Sequence, residues 1–321
     1  MTTHTNRHLL SQSDIAIRIE RLVKAIQRTH SPAYKFIKSA LGQERLQATC
    51  VSRYFEHIQR MVSLFDEDPS YDFSEHLQVF RDACQFIGLE RSPIGLTCLS
   101  DDGTRYLRTE EMLNALTDRI RHLTSSKRYR RAAVNRRFQA RDQQSTITEA
   151  VDWVLDSVPS TIVVRVDLHY SSAFQYRQRV EDVFADLDRL SREIERNEIF
   201  DHLIWHICSV EQGEDRGYHI HTAFLFDGAK VGCDVHKARQ VGRLWEDITR
   251  GQGYCFNCNA YKERYGKDLG IGRLDRNDAG IRSKLHKAMR YLVKDVETQH
   301  LRVKPEGARC LRKGQLRKPT L

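Results

Sequence analysis

The sequence predicts an α+β protein: a ferredoxin-like (split-βαβ) antiparallel sheet with helices, preceded by an all-helical N-terminal region. Three observations carry this. Up to about residue 141, apolar residues recur at spacings of three and four. From Thr161 onward, runs rich in β-branched and aromatic residues alternate with helical patterns. Their order is strand, helix, strand, strand, helix, strand, which in a ferredoxin-like sheet makes the first and third strands central neighbours.

The N-terminal helices follow in turn. Ile15, Ile19, Leu22, Val23 and Ile26 line one face of a helix from Asp14, with Ser13 as its N-cap. After Ser31-Pro32 a second helix carries Tyr34, Phe36 and Ile37. A third runs from Arg53 to Phe65 and a fourth from Ser74 to Ile87. Residues 88–103 read as a loop, and Met112, Leu113, Leu116 and Ile120 mark a helix from Thr109 to Leu123. Lys127, Arg128, Arg130, Arg131, Arg136, Arg137 and Arg141 then form a basic run without an acidic residue, with Tyr129 and Phe138 interleaved. Such a run is either a solvated face or a surface for phosphate contact with base stacking.

The second half begins with a short helix after Thr148. Thr161–Tyr170 is a strand, Gln175–Asn197 a long charged helix, and His202–Val210 a strand. A polar turn makes a hairpin to Gly217–Gly228. Asp234–Thr249 is a helix and Tyr254–Ala260 a short strand. Residues 266–280 are loop-like, and Ala279–Val296 is a helix. The boundaries expected are residues 1–145 for a helical accessory region, 146–305 for a domain of mixed strands and helices, and 306–321 for a flexible basic tail.

Bulk properties narrow the class. The 321 residues are 40% hydrophobic and 30% charged, which suits a folded chain with a real core. The net charge of +9 points to a polyanion, either nucleic acid or an anionic membrane surface. No apolar run is long enough for a membrane span, and the N-terminus lacks the apolar core of a secretory signal. The eight cysteines then read as free thiols in a reducing cytoplasm. Only Cys255 and Cys258 form a CxxC pair, and without a second pair a zinc ribbon is not expected.

Chemistry concentrates on the strand from Gly217. Side chains alternate along a strand, so His219 and His221 share a face, the geometry of a chelating pair. By themselves they read first as the histidines of a half-exposed strand. A carboxylate would complete a divalent-metal site, and two are placed for it: Glu211, ending the preceding strand, and Asp167, on the first strand with His169 on its face. Glu214 and Asp215, in the turn, are further candidates. On the last helix Tyr291 and Lys294 stand three apart on one face, a nucleophile with an electrostatic helper.

Taken in order, a His-hydrophobic-His strand, an acid shortly before it and a Tyr-x-x-Lys helix further on resemble the HUH endonucleases, the rolling-circle replication initiators. Within them the chain looks like the YagK/YfjJ C-terminal-domain family of filamentous phages (inoviruses) and related prophages. The similar stretches are VVRVDLHY (163–170), GYHIHTAFLFDG (217–228), YCFNCNAY (254–261), GIGRLD (270–275) and MRYLVKDVETQHLRVKP (289–305). The segment before the first strand departs from the usual Thr-rich motif, and position 287 is Lys where a second tyrosine would stand.

The resemblance implies an RRM-like HUH palm and a metal-dependent nick of single-stranded DNA at a replication origin. Mg²⁺ or Mn²⁺ would sit on His219, His221 and an acid, Glu211 or Asp167. Tyr291 would form a 5′-phosphotyrosine, with Lys294 near the phosphate oxygens. Further contacts expected are DNA with the basic run and with Arg302 and Lys304, a host helicase, and a second protomer, in the cytoplasm of a bacterial host. The alternative is a non-catalytic DNA-binding regulator on the same fold.

Overall fold

The structure is a computed structural model that describes residues 10–38, 42–66, 70–214, 216–293 and 301–318. Its elements gather into two units, one of Gln12–Asn135 with Arg302–Glu306, the other of Arg136–Leu301 with Gly307–Leu321. The division falls ten residues before the boundary expected at residue 145.

The first unit is mixed rather than all-helical. Helix α1 (Gln12–Gln27) buries Ile15, Ile19, Leu22, Val23 and Ile26, with Ser13 inside the helix rather than capping it. Strands β1 (Tyr34–Lys38) and β2 (Glu44–Ala48) then form a hairpin where a helix over Tyr34, Phe36 and Ile37 is expected. The deciding contact is tertiary. The Asn114 side chain accepts from the Tyr34 N–H and donates to its C=O, both at 2.8 Å, and so stands in for a neighbouring strand. Helix α2 (Ile58–Ser63), strand β3 (Tyr71–Phe73) and helix α3 (Glu75–Phe86) follow. The expected loop at 88–103 holds a second hairpin, β4 (Glu90–Ser92) with β5 (Gly95–Thr97), and α4 spans Thr109–Thr124.

One helix, α5 (Lys127–Ser157), runs unbroken through the basic stretch and the short helix expected after Thr148. In the second unit follow β6 (Ser160–Tyr170), α6 (Ser172–Gln175), α7 (Val180–Arg196), β7 (Leu203–Gly213) and β8 (Gly217–Asp227). Then come α8 (Asp234–Ile248), β9 (Gly253–Asn257), β10 (Gly272–Asp275) and α9 (Ile281–Arg290). The charged helix expected from Gln175 starts later because the Asp182 carboxylate accepts the Arg179 N–H and sets a new N-terminus there. From it Val183, Phe184, Leu187, Leu190 and Ile194 make one buried stripe.

The sheet is antiparallel in the order β10-β6-β8-β7 and then Leu311–Lys313, with β9 pairing along β6 beyond β10. The first long strand, β6, therefore lies beside the histidine strand, β8, at the centre. Two segments assigned by sequence to the mixed domain's end and a flexible tail are strands instead. Val303–Pro305 (β11) pairs with β3 in the first unit, and Leu311–Lys313 (β12) pairs with β7.

The sheet's two faces differ. One carries Tyr170, Phe224 and Phe226, all buried. Trp245 of α8 meets the Tyr170 ring edge-on at 5.5 Å, and Phe200 meets Phe224 at 5.2 Å. The other face packs Val163, Ile207, Ala223 and Leu225 against Val151, Val154 and Leu155 of α5 and Leu285 and Met289 of α9. These helices cover one end of that face. The same alternation carries on along the strands to His221 and His219.

Candidate metal centre beside Tyr291

Strand register assembles the centre. Asp167 on β6, His221 on β8 and Ser209 on β7 stand in one row across the sheet. Glu211 pairs with His219 in the next row on the same face. Paired residues in antiparallel strands point to the same side, so the two histidines and both carboxylates converge.

The two carboxylates do different things. Asp167 Oδ1 accepts the Nδ1–H of His221 at 2.6 Å. The carbonyl of Gly217 accepts from Nδ1 of His219 at 3.2 Å. With both Nδ1 positions engaged, each ring turns its Nε2 the same way. Glu211 Oε2 lies there, 3.2 Å from Nε2 of His221 and 3.7 Å from Nε2 of His219. All four residues are buried. Glu211 Oε2 completes no hydrogen bond, which leaves a buried carboxylate oxygen close to two imidazole nitrogens.

Glu211, His219 and His221 form a group that could hold a metal ion, and among the described residues it is the one such group of His, Cys, Asp or Glu side chains. The fit is good. A divalent ion bound at about 2.1 Å holds neighbouring ligand atoms roughly 3.0 to 3.5 Å apart. Three protein ligands leave coordination positions open for a substrate oxygen.

Charge follows the geometry. Burial disfavours a cation on His221, but the bond to Asp167 and the nearby Glu211 carboxylate outweigh it and raise its pKa to about 9. The proton on His221 occupies the position a metal would take. Burial, then the charge of His221, push His219 down to about 3. Asp167 is held at about 2: burial opposes its charge, and the His221 bond with nearby Arg165 overcomes that.

The nucleophile candidate arrives from α9. Its apolar positions Ile281, Leu285 and Met289 seat it on the sheet. A 3₁₀ turn, Tyr291–Val293, then carries Tyr291 over the histidines. The Tyr291 ring meets the His221 ring edge-on at 5.5 Å between centroids. Gly270 sets the seating, because a Cβ there would stand 2.2 Å from the Lys284 carbonyl oxygen.

Sequence reasoning missed Arg165. It is 3% exposed, with its guanidinium carbon 4.1 Å from the Tyr291 ring centre and a terminal nitrogen 3.6 Å from Asp167 Oδ1. Its backbone N–H is fixed by Asn259 Oδ1 at 2.8 Å. A legible signal existed: an arginine two residues before Asp167 in an otherwise apolar strand shares that residue's face.

The remaining expected residues divide. Lys294 and Asp215 lie outside the described residues. Lys127, Arg128, Arg130, Arg131 and Arg137 are exposed along α5, Arg136 is partly buried, and Arg128 stands 3.6 Å from Asp82. Phe138 is exposed among them, whereas Tyr129 is buried edge-on against His76. Arg302 is not a surface cation: it is 4% exposed and paired with the buried Glu20. Lys304 bonds Asp72 at 2.8 Å. Burying that strand against β3 takes Arg302 out of reach of a polyanion. All eight cysteines are free, and Cys258 lies in the core beneath α9. No helix among the described residues is long and apolar enough to cross a membrane.

No protein-family model, no curated protein and no solved structure matches this chain.

Proposed function

We propose that the second unit nicks and rejoins single-stranded DNA through a phosphotyrosine, as an HUH-type replication initiator of a phage or mobile element does. One observation carries the reading: Tyr291, seventy residues along the chain from His221, has its ring against that imidazole. The strand order also supports it. Counting β6, β7, β8 and then β9 or β10 as strands one to four, the order is 4-1-3-2, that of a ferredoxin-like sheet.

A divalent ion, Mg²⁺ or Mn²⁺ on this reading, would be held by Glu211, His219 and His221 and would polarise the scissile phosphate. The chain's own groups supply the rest. Asp167 and the Gly217 carbonyl fix which nitrogen of each histidine is free. The Tyr291 oxygen attacks phosphorus, and a Tyr–O–P bond forms as the bond from phosphorus to the 3′ oxygen breaks. The phenolic proton is released and the departing oxygen is protonated, leaving a 5′-phosphotyrosine and a free 3′-OH. Arg165, a cation under the phenol ring, favours the phenolate and holds the ring in place. The exposed cations of α5 contact the DNA backbone.

The test is incubation of the whole protein with supercoiled and single-stranded DNA of its own element, with Mn²⁺, followed by detection of a covalent adduct on the new 5′ end. Wild type forms the adduct, and Tyr291→Phe forms none while retaining DNA binding. Equal cutting by Tyr291→Phe refutes the nucleophile. DNA binding without cutting by wild type favours the regulator reading.

A further inference from the structure

The row that holds Glu211 and His219 does not end at the buried centre. His169 lies beside His219, with the two rings stacked at 5.5 Å and 21°. Tyr254 on β9 pairs in register with His169 and stacks on it at 5.2 Å and 22°. Four side chains thus run across one face, from Glu211 through two imidazoles to a tyrosine at the sheet margin.

Tyr254 is 46% exposed, and His169 is its one ring contact among the described residues. One side of the phenol is backed by the His169 ring, and the residue remains exposed. The neighbouring rings are engaged with each other: Phe256 and Tyr261 stack at 5.3 Å, and Arg264 sits 4.7 Å from the Tyr261 centroid. Arg264 and Arg216 are both exposed. Arg216 belongs to the β7–β8 turn, which Gln175 ties to the end of β6 by bonds to the carbonyls of Arg216 and Tyr170 at 3.2 and 3.0 Å.

From this arrangement we infer that Tyr254 is a stacking subsite for an unpaired nucleobase, two ring steps from the metal centre, with Arg216 and Arg264 facing the strand's phosphates. A flat, half-exposed ring in a unit that also exposes Arg216 and Arg264 suits a base joined to an anionic backbone, since every base offers a π-face and every linkage a charge. Because the stack is continuous with His219, a base seated on Tyr254 fixes where along the strand the scissile phosphate falls. The inference rests on the DNA-nicking reading and adds the subsite that sets register.

The experiment measures anisotropy of a labelled oligo(dT) with the full chain, in buffer free of divalent metal so that nothing is cut. Tyr254→Ala is expected to weaken binding by about 5- to 150-fold, and Tyr254→Phe by less than about twofold. An oligonucleotide of abasic residues supplies the second arm. Wild type binds it weakly, and the difference between wild type and Tyr254→Ala disappears. Unchanged affinity for oligo(dT) in Tyr254→Ala overturns the subsite, and so does a penalty that persists on the abasic strand. In either case, adduct formation by wild type leaves the nicking reading standing. A wild-type chain that neither binds oligo(dT) nor forms the adduct overturns both.

Discussion

Asp167 and Glu211 are both buried carboxylates within reach of His221, and replacing each separately distinguishes their roles. In Asp167→Asn the side chain keeps an oxygen to accept the Nδ1–H of His221 but loses its charge. The bond at stake is 2.6 Å long and lies in a buried row. A hydrogen bond to a charged partner contributes about 1.5–3 kcal/mol. Loss of such a support behind a histidine ligand typically costs 10- to 100-fold in metal affinity. Because asparagine keeps a neutral acceptor, only the charged part of that support, about 1–1.5 kcal/mol, is lost, and the dissociation constant for Mn²⁺ should rise by about 5- to 10-fold. Glu211→Gln replaces the charged candidate ligand oxygen with a neutral amide and should weaken binding by more than about 100-fold. Mn²⁺ titration followed by electron paramagnetic resonance of the free ion reads both, with thermal melts to confirm folding. Unchanged affinity in Asp167→Asn would refute the supporting role. A larger loss in Asp167→Asn than in Glu211→Gln would reverse the two assignments.

Other expectations follow from single contacts. Arg165→Met should shift the pH profile of adduct formation upward, because the phenol loses its adjacent cation, and Arg165→Lys should restore part of that shift. An unmoved profile in Arg165→Met removes Arg165 from the chemistry. Gly270→Ala forces a Cβ against the Lys284 carbonyl and should destabilise the fold by about 1–3 kcal/mol, seen as a lower melting temperature, while slowing adduct formation through displaced α9. His206, buried on β7, has its pKa lowered to about 4 by burial and then by Arg317. The unfolded chain takes up that proton near pH 6.5, so stability is full above 6.5 and falls as pH drops towards 4. By pH 5 the loss is about 2 kcal/mol, and His206→Phe should flatten the decline in melting temperature between pH 7.5 and 5 by that share. His169 and His219, also held low, keep part of the slope in the variant.

The site was legible in proportion to how local its determinants are. His219 and His221 share a face because a strand repeats every two residues, and that holds whatever else the chain does. Glu211 precedes them across a short turn, so its approach to His219 follows from the hairpin. Arg302 lay beyond such reasoning. Its sequence neighbours are basic, yet the strand that carries it pairs with β3 and buries the guanidinium against Glu20, which lies at the other end of the chain. Tyr34–Lys38 failed similarly: five residues with apolar positions fit either a helix or a strand, and the Asn114 amide decided between them.

The sequence by itself determined the long strands of the second half, most of its helices, and the pair of imidazoles on one face. Backbone periodicity and hydrophobic pattern set those within a dozen residues. Only the tertiary structure decided that Asp167 supports His221 while Glu211 faces both free nitrogens, and that Arg165 lies under Tyr291. Those choices depend on the register between β6, β8 and β7 and on the seat of α9 against Gly270. A shift of one residue in any pairing would turn the same side chains to the opposite face.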